Sequence, residues 1–162
     1  MGDLVANAYV AVVEDDLSLR RSLARLLRAS GFEAITYASA ESFLADKRKP
    51  RLDCILLDIQ MDGASGHELN ERLAAQGSTV PVIYLTARPQ KEGVDEAGRA
   101  PFKAYLRKTD PGDVVLSAVR DAIEQNRKEN PTSGILEGSS QCEPYLHDSK
   151  PVRAQLRQTS SP

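Results

Sequence analysis

The chain is poor in the features that mark several large classes of protein. It has two cysteines in 162 residues, Cys54 and Cys142, too few for a disulfide framework. Cys54 lies inside an apolar run and reads as a small buried hydrophobe, so a reducing cytoplasm is the expected compartment. No apolar run approaches bilayer-spanning length, and membrane insertion is not expected. The amino terminus lacks the positive region and cleavable apolar segment of a signal peptide. Ala6 stands where a myristoylation motif requires Ser or Thr. An excess of one charge is also missing. The 21 Lys and Arg against 23 Asp and Glu give a net −2, unlike the basic surface of a dedicated nucleic-acid binder. No Gly-rich phosphate loop follows the first apolar run, which weighs against a nucleotide site. No repeat or helix-turn-helix pattern is visible.

What is present is an alternation of strand and helix patterns, repeated five times. Residues 8–13 read as a first strand. Asp16 follows as a helix N-cap, with Leu19, Leu23, Leu26 and Leu27 at helical spacing. Gly31 fits the end of that helix. Residues 32–37 alternate as a second strand, and Ser39 opens a short helix ending before Lys49-Pro50. A third strand runs to Leu57. A loop with Asp62-Gly63 and Gly66 leads to a helix with Leu69, Leu73 and Ala74 that ends at Gly77. Pro81 starts the fourth strand. Pro89, Gly93, Gly98 and Pro101 crowd the next segment, where a short or mobile fourth helix is expected. The fifth strand covers about residues 103–106. Asp110-Pro111 reads as an N-cap and first helical residue of a last helix bearing Val115, Val119, Ala122 and Ile123. This gives an α/β fold with a domain over 8–128, and Pro, Ser, Gly and Thr mark 129–162 as a disordered tail. Five parallel units need helices on both faces. Right-handed crossovers then favour a doubly wound (βα)5 flavodoxin-like parallel sheet of order 2-1-3-4-5, with a crevice between the first and third strands.

Polar groups stand where those strands end. Glu14 and Asp15 follow the first, Asp58 the third, Thr86 the fourth and Lys108 the fifth. Each alone has an ordinary reading as a cap or a solvated side chain, and Tyr105 as core. Their coincidence at one edge of a parallel sheet is what points to chemistry. Asp15 and Asp58, with Glu14 and the backbone carbonyl of Gln60, offer hard oxygens for Mg2+ or Mn2+. Asp58 can serve as a nucleophile forming an acyl phosphate. Lys108 and Thr86 supply donors to the phosphoryl oxygens, and such transfer depends on positioning and charge neutralisation.

The residues that carry these groups resemble a known family. Val12-Val13-Glu14-Asp15-Asp16 with Arg20-Arg21, residues 52–61 with Gly66-His67-Glu68-Leu69, residues 81–87, and Ala104-Tyr105-Leu106-Arg107-Lys108 together resemble the receiver domain of two-component response regulators. Residues 37–44 are similar to its FixJ-like branch. The resemblance implies that Asp58 accepts phosphate from a histidine kinase or a histidine phosphotransfer protein. It implies a switch in which Thr86 swings toward the phosphoryl group and Tyr105 turns inward. Gln60 and Arg88 occupy positions that tune dephosphorylation in the family. It also implies a downstream protein target, or homodimerisation through the face of the fourth helix, fifth strand and fifth helix. With only a tail after the receiver, the chain reads as stand-alone, without direct DNA binding. It would signal through protein contacts or drain phosphate from a kinase. It would not be a turnover enzyme and would catalyse only its own phosphorylation and dephosphorylation.

Three departures qualify the match. Asp62 and Thr109 replace prolines usual in the family, and residues 87–102 keep its length but not its usual sequence. A cis bond before Thr costs about 2.5–4 kcal/mol, so a trans Lys108-Thr109 bond and a different aim for Lys108 are expected. These departures lend a little support to an alternative, a pseudo-receiver that binds partners without phosphate, while the intact Glu14, Asp15, Asp58, Thr86 and Lys108 count against it. An aspartyl-phosphate hydrolase is disfavoured, because it needs an acid two residues after the nucleophile, where Gln60 stands.

Overall fold

The computed structural model describes residues 7–87 and 102–131. Its elements in chain order are β1 (Tyr9–Val13), α1 (Leu17–Ala29), β2 (Glu33–Tyr37), α2 (Ala40–Ala45), β3 (Cys54–Asp58), α3 (Gly66–Ala75), β4 (Val82–Thr86), β5 (Phe102–Arg107) and α4 (Gly112–Glu129). The five strands form one parallel sheet in the order β2-β1-β3-β4-β5, as expected. The fourth helix expected after Thr86, and Arg88, lie outside the described residues, as does the tail beyond Pro131. The chain divides into two units, Met1–Asn126 and Arg127–Pro162. The sheet and the first three helices belong to the former, and residues 127–131 of the latter are described.

The sheet is apolar on both faces, which explains its unbroken hydrophobic strands. Val10, Val12, Cys54, Leu56, Ile83 and Leu85 pack with Leu23 and Leu27 of α1 and Val115, Val119 and Ile123 of α4. Their neighbours Ala11, Val13, Ile55, Leu57, Val82 and Tyr84 pack with Phe43 of α2 and Leu69 and Leu73 of α3. This strict alternation follows from the two-residue period of a strand.

Local chemistry sets the helix ends. The Asp16 carboxylate accepts from Leu19 N at 3.0 Å, and Ser39 Oγ accepts from Ser42 N at 3.0 Å. Ser65 and Glu68 form a reciprocal capping box at the start of α3. Gly31 and Gly77 follow α1 and α3 with φ of 90° and 79°, the left-handed conformation that glycine adopts without a Cβ clash. One cap differs from expectation. The Asp110 carboxylate turns back to accept from Arg107 N at 2.8 Å, while the Pro111 carbonyl receives Val114 N and Val115 N. Pro111 therefore precedes α4, because its carbonyl opens the helix while the Asp110 side chain closes the preceding turn. No helix among the described residues is long and apolar enough to cross a membrane.

Candidate functional site

The order β2-β1-β3 puts the carboxyl ends of β1 and β3 side by side. Val13 pairs with Leu57, so Glu14 and Asp58, the next residues, emerge at adjacent points. Both are fully buried, whereas Asp15 is exposed. Carboxylate oxygens of Glu14, Asp15 and Asp58 all lie within 4.8 Å of one another. The loop is braced by Arg20, whose Nη1 donates to the carbonyls of Glu14 at 2.7 Å and Asp15 at 3.4 Å. Sequence reasoning assigned Arg20 no role in the site. The available signal was a long cation one turn into the helix that follows an acidic pair.

Lys108 reaches this cluster from β5. Its backbone N donates to Thr86 O at 2.8 Å, which anchors the turn beside β4. Its Nζ lies 2.9 Å from Asp58 Oδ2 and 3.1 Å from Glu14 Oε1. No peptide bond among the described residues is cis, so Lys108-Thr109 is trans as expected. With this trans bond Lys108 Nζ reaches both acids.

The remaining acceptors are nearly accounted for. Asp58 Oδ1 accepts from Gln60 N at 3.0 Å, and Glu14 Oε1 accepts also from Asp16 N at 3.1 Å. Glu14 Oε2 is buried without a hydrogen-bond partner. A buried carboxylate oxygen left bare is costly. Burial pushes the Glu14 carboxyl well above its ordinary pKa. The Asp16 amide and Lys108 oppose that rise, while nearby Asp58 adds to it. Burial also works to raise Asp15, but hydrogen bonding with Glu14, the Asp62 backbone and Asp58, together with the Lys108 charge, holds it below the usual range. Burial disfavours the Lys108 ammonium, yet its bonds to Asp58 and Glu14 win and raise its pKa. An orphaned oxygen among three convergent carboxylates, one of them exposed, fits a hard divalent cation that keeps part of its water.

Of the other expected residues, Thr86, Tyr105 and Gln60 are among those described. Thr86 ends β4, one residue past Leu85, which pairs with Asp58. Tyr105 is half-buried and stacks on Tyr84, its partner across the strands, with ring centroids 5.3 Å apart. Gln60 is exposed directly after the Asp58 junction. Gly66, read from sequence as a loop residue, is the first residue of α3. A Cβ there would run into the Asp58 carbonyl, so glycine lets α3 start against the end of β3. Gly66 N donates to Ile59 O at 3.2 Å.

The comparisons with known proteins agree with this geometry. Residues 10–120 match the family described as the response regulator receiver domain, and the chain belongs to that family. It is 33% identical over 122 residues to nodulation protein W of Bradyrhizobium diazoefficiens, covering 75% of this chain and 54% of that protein. It is 33% identical over 141 residues to the transcriptional regulatory protein FixJ of Azorhizobium caulinodans, covering 83% and 67% respectively. The chain thus spans about half to two thirds of the length of these curated relatives. Among solved structures, a response regulator receiver protein from Burkholderia phymatum is similar with a TM-score of 0.63 and 38% identity, over 73% of this chain and 96% of that one.

Proposed function

We propose that this receiver domain is a phosphoryl-accepting switch, with Asp58 as acceptor and a phosphohistidine of a histidine kinase or phosphotransfer protein as donor. The observation that carries this reading is the convergence of Asp58, Glu14, Asp15 and Lys108 from three strand ends onto one pocket. An Asp58 carboxylate oxygen attacks phosphorus, the P–N bond breaks, and its electron pair returns to the donor imidazole, which takes up a proton. Lys108, already 2.9 Å from Asp58 Oδ2, offsets the charge gathering on the phosphoryl oxygens. Thr86 is the hydroxyl donor from the neighbouring strand. Glu14, Asp15, Asp58 and the Gln60 backbone carbonyl would hold Mg2+ or Mn2+, which when bound supplies charge neutralisation between the acids and the phosphoryl group.

Phosphorylation then changes the charge beside Thr86 and the Tyr105–Tyr84 stack, and a change there is the output read by another protein. The near-neutral charge of the chain supports a protein target over DNA. A reducing cytoplasmic compartment suits Cys54, whose thiol burial pushes up to about 12. The chain performs one self-limited phosphoryl transfer and is not a turnover enzyme.

Intact-mass measurement after incubation with Mg2+ and acetyl phosphate tests the reading. One added phosphoryl group is expected, absent in Asp58→Asn and absent without metal. A folded protein that takes up no phosphoryl group from acetyl phosphate or from a cognate kinase would leave the phosphate-independent binding module as the better account.

A further inference from the structure

The loop between β3 and α3 carries two groups that bear on the acidic pocket. The Gln60 carbonyl is one of the oxygens proposed for the metal, and the Asp62 backbone hydrogen-bonds the Asp15 carboxylate. Both ends of the loop are fastened. Gln60 N donates to Asp58 Oδ1 at 3.0 Å, and Ser65 N donates to Glu68 Oε2 at 2.7 Å. Its middle is held from α2, where Glu41 Oε1 accepts from Ala64 N at 3.3 Å across 23 positions of sequence. Gly63 has a left-handed φ of 94°, and a Cβ there would stand 3.1 Å from the same Glu41 oxygen. A bare glycine backbone lets the carboxylate come this close. Glu41 is the second residue of α2, whose Ser39 and Ser42 form a capping box and whose Phe43 is buried in the core. Bonds to its own backbone amide and to that of Ala64 hold the Glu41 carboxyl below the usual range. Asp62 adds to the need for such a hold. The proline usual in the family would fix φ and offer no N–H. Aspartate keeps an N–H near Asp15 and leaves the loop without that lock.

We propose that Glu41 is a positioning residue for the metal site, holding the β3–α3 loop so that the Gln60 carbonyl and the Asp62 amide keep their places beside Asp58 and Asp15. Glu41 touches neither the ion nor the phosphoryl group. It acts through the Ala64 amide, four residues past Gln60 and two past Asp62. Groups that stand behind the ligands of a metal site set its affinity, because a ligand left to wander must be ordered when the ion binds. The inference rests on the metal-binding reading of this pocket. It adds to that site a side chain from α2, an element that supplies none of the carboxylates converging there. A tether that only stabilised the fold would leave metal affinity untouched, and that difference is measurable.

The test titrates the full chain with Mn2+ at neutral pH and reads the free ion by electron paramagnetic resonance, beside thermal melts and hydrogen exchange over residues 59–65. Glu41→Ala removes the acceptor at an exposed helix position that alanine suits. It is expected to weaken Mn2+ binding about fivefold, less than the loss of a direct partner of a ligand because Glu41 acts one step further back. Exchange across the loop should quicken, with circular dichroism unchanged. Glu41→Gln removes the charge but keeps an oxygen for Ala64 N, so its affinity should stay within about twofold of the wild type. Equal losses in both variants would reduce Glu41 to a distant charge and overturn the proposal. So would an unchanged Mn2+ affinity in Glu41→Ala, with or without a lower melting temperature, while the metal reading would stand. A wild type that binds Mn2+ no more tightly than the Asp15→Asn, Asp58→Asn double variant would sink the metal reading and this inference with it.

Discussion

The two faces of the sheet are built on different physical terms. The face covered by α1 and α4 is almost wholly aliphatic, with Phe32 as its aromatic member. The face covered by α2 and α3 holds Tyr37, Phe43 and Tyr84. It also carries hydrogen bonds: Asn70 Nδ2 donates to the Tyr84 hydroxyl at 2.7 Å, and the Tyr37 hydroxyl donates to Asp46 Oδ2 at 2.8 Å. His67 and Tyr105 both pack on the Tyr84 ring, at 4.8 Å and 5.3 Å between centroids. Aliphatic burial is non-directional and rewards area and fit. Buried hydrogen bonds are directional and costly to leave half-made. The α1–α4 face is therefore expected to supply stability in bulk, and the α2–α3 face to hold Tyr84, and through it Tyr105, in one arrangement.

The largest effect should come from the aliphatic face. Leu56→Ala, at a side chain with no exposed surface, is expected to cost about 2–5 kcal/mol in urea unfolding. Leu56→Met should stay below about 1.5 kcal/mol. Comparable losses from both would show that shape rather than volume governs this face. Next, Gly66→Ala forces a Cβ into the Asp58 carbonyl. It should cost about 1–3 kcal/mol and depress phosphoryl uptake by displacing Asp58. Unimpaired uptake would mean that α3 can move without disturbing β3.

The third prediction separates directional from bulk contributions. Tyr84→Phe strands the buried Asn70 amide and is expected to cost about 1–3 kcal/mol. Asn70→Leu combined with Tyr84→Phe should cost clearly less than the sum of the singles. Strict additivity would remove the hydrogen bond from the account of this face. Burial raises the pKa of Tyr84 to about 12, so its hydroxyl stays protonated throughout these measurements.

The smallest effect concerns Tyr37 and half-buried Asp46. The Tyr37 hydroxyl, first among several donors and cations, holds the Asp46 carboxyl below its usual range. A carboxylate with a depressed folded pKa stabilises the fold above its unfolded pKa and loses that contribution as pH falls through the folded value. The stability gap between the wild type and Tyr37→Phe should therefore be present at neutral pH. It should narrow in acid, below the ordinary Asp range, in thermal melts across pH. A gap independent of pH would assign the Tyr37 contribution to its ring, which meets Phe43 edge-on at 5.1 Å.

Much of this molecule was readable from local pattern. Runs such as Cys54-Ile55-Leu56-Leu57 read as strands buried on both faces. Asp16, Ser39, Gly31 and Gly77 marked helix ends because capping and left-handed turns involve residues a few positions apart. Asp110 misled because the same carboxylate can reach forward to a helix or back to a turn, and local sequence does not say which. The Ser65–Glu68 box escaped notice beside the glycines of its loop. Asn70 gave no signal, since its partner Tyr84 lies 14 residues away on another element.

The sequence by itself determined where each strand stops and which polar group follows it, since two-residue alternation and capping are short-range. Only the tertiary structure decided that Lys108 meets Asp58 and Glu14, residues 50 and 94 positions earlier. It alone showed that Glu14 is sealed from water with one oxygen unpartnered. Burial and charge pairing depend on which strands become neighbours, and that order arises from packing the whole sheet between its helices.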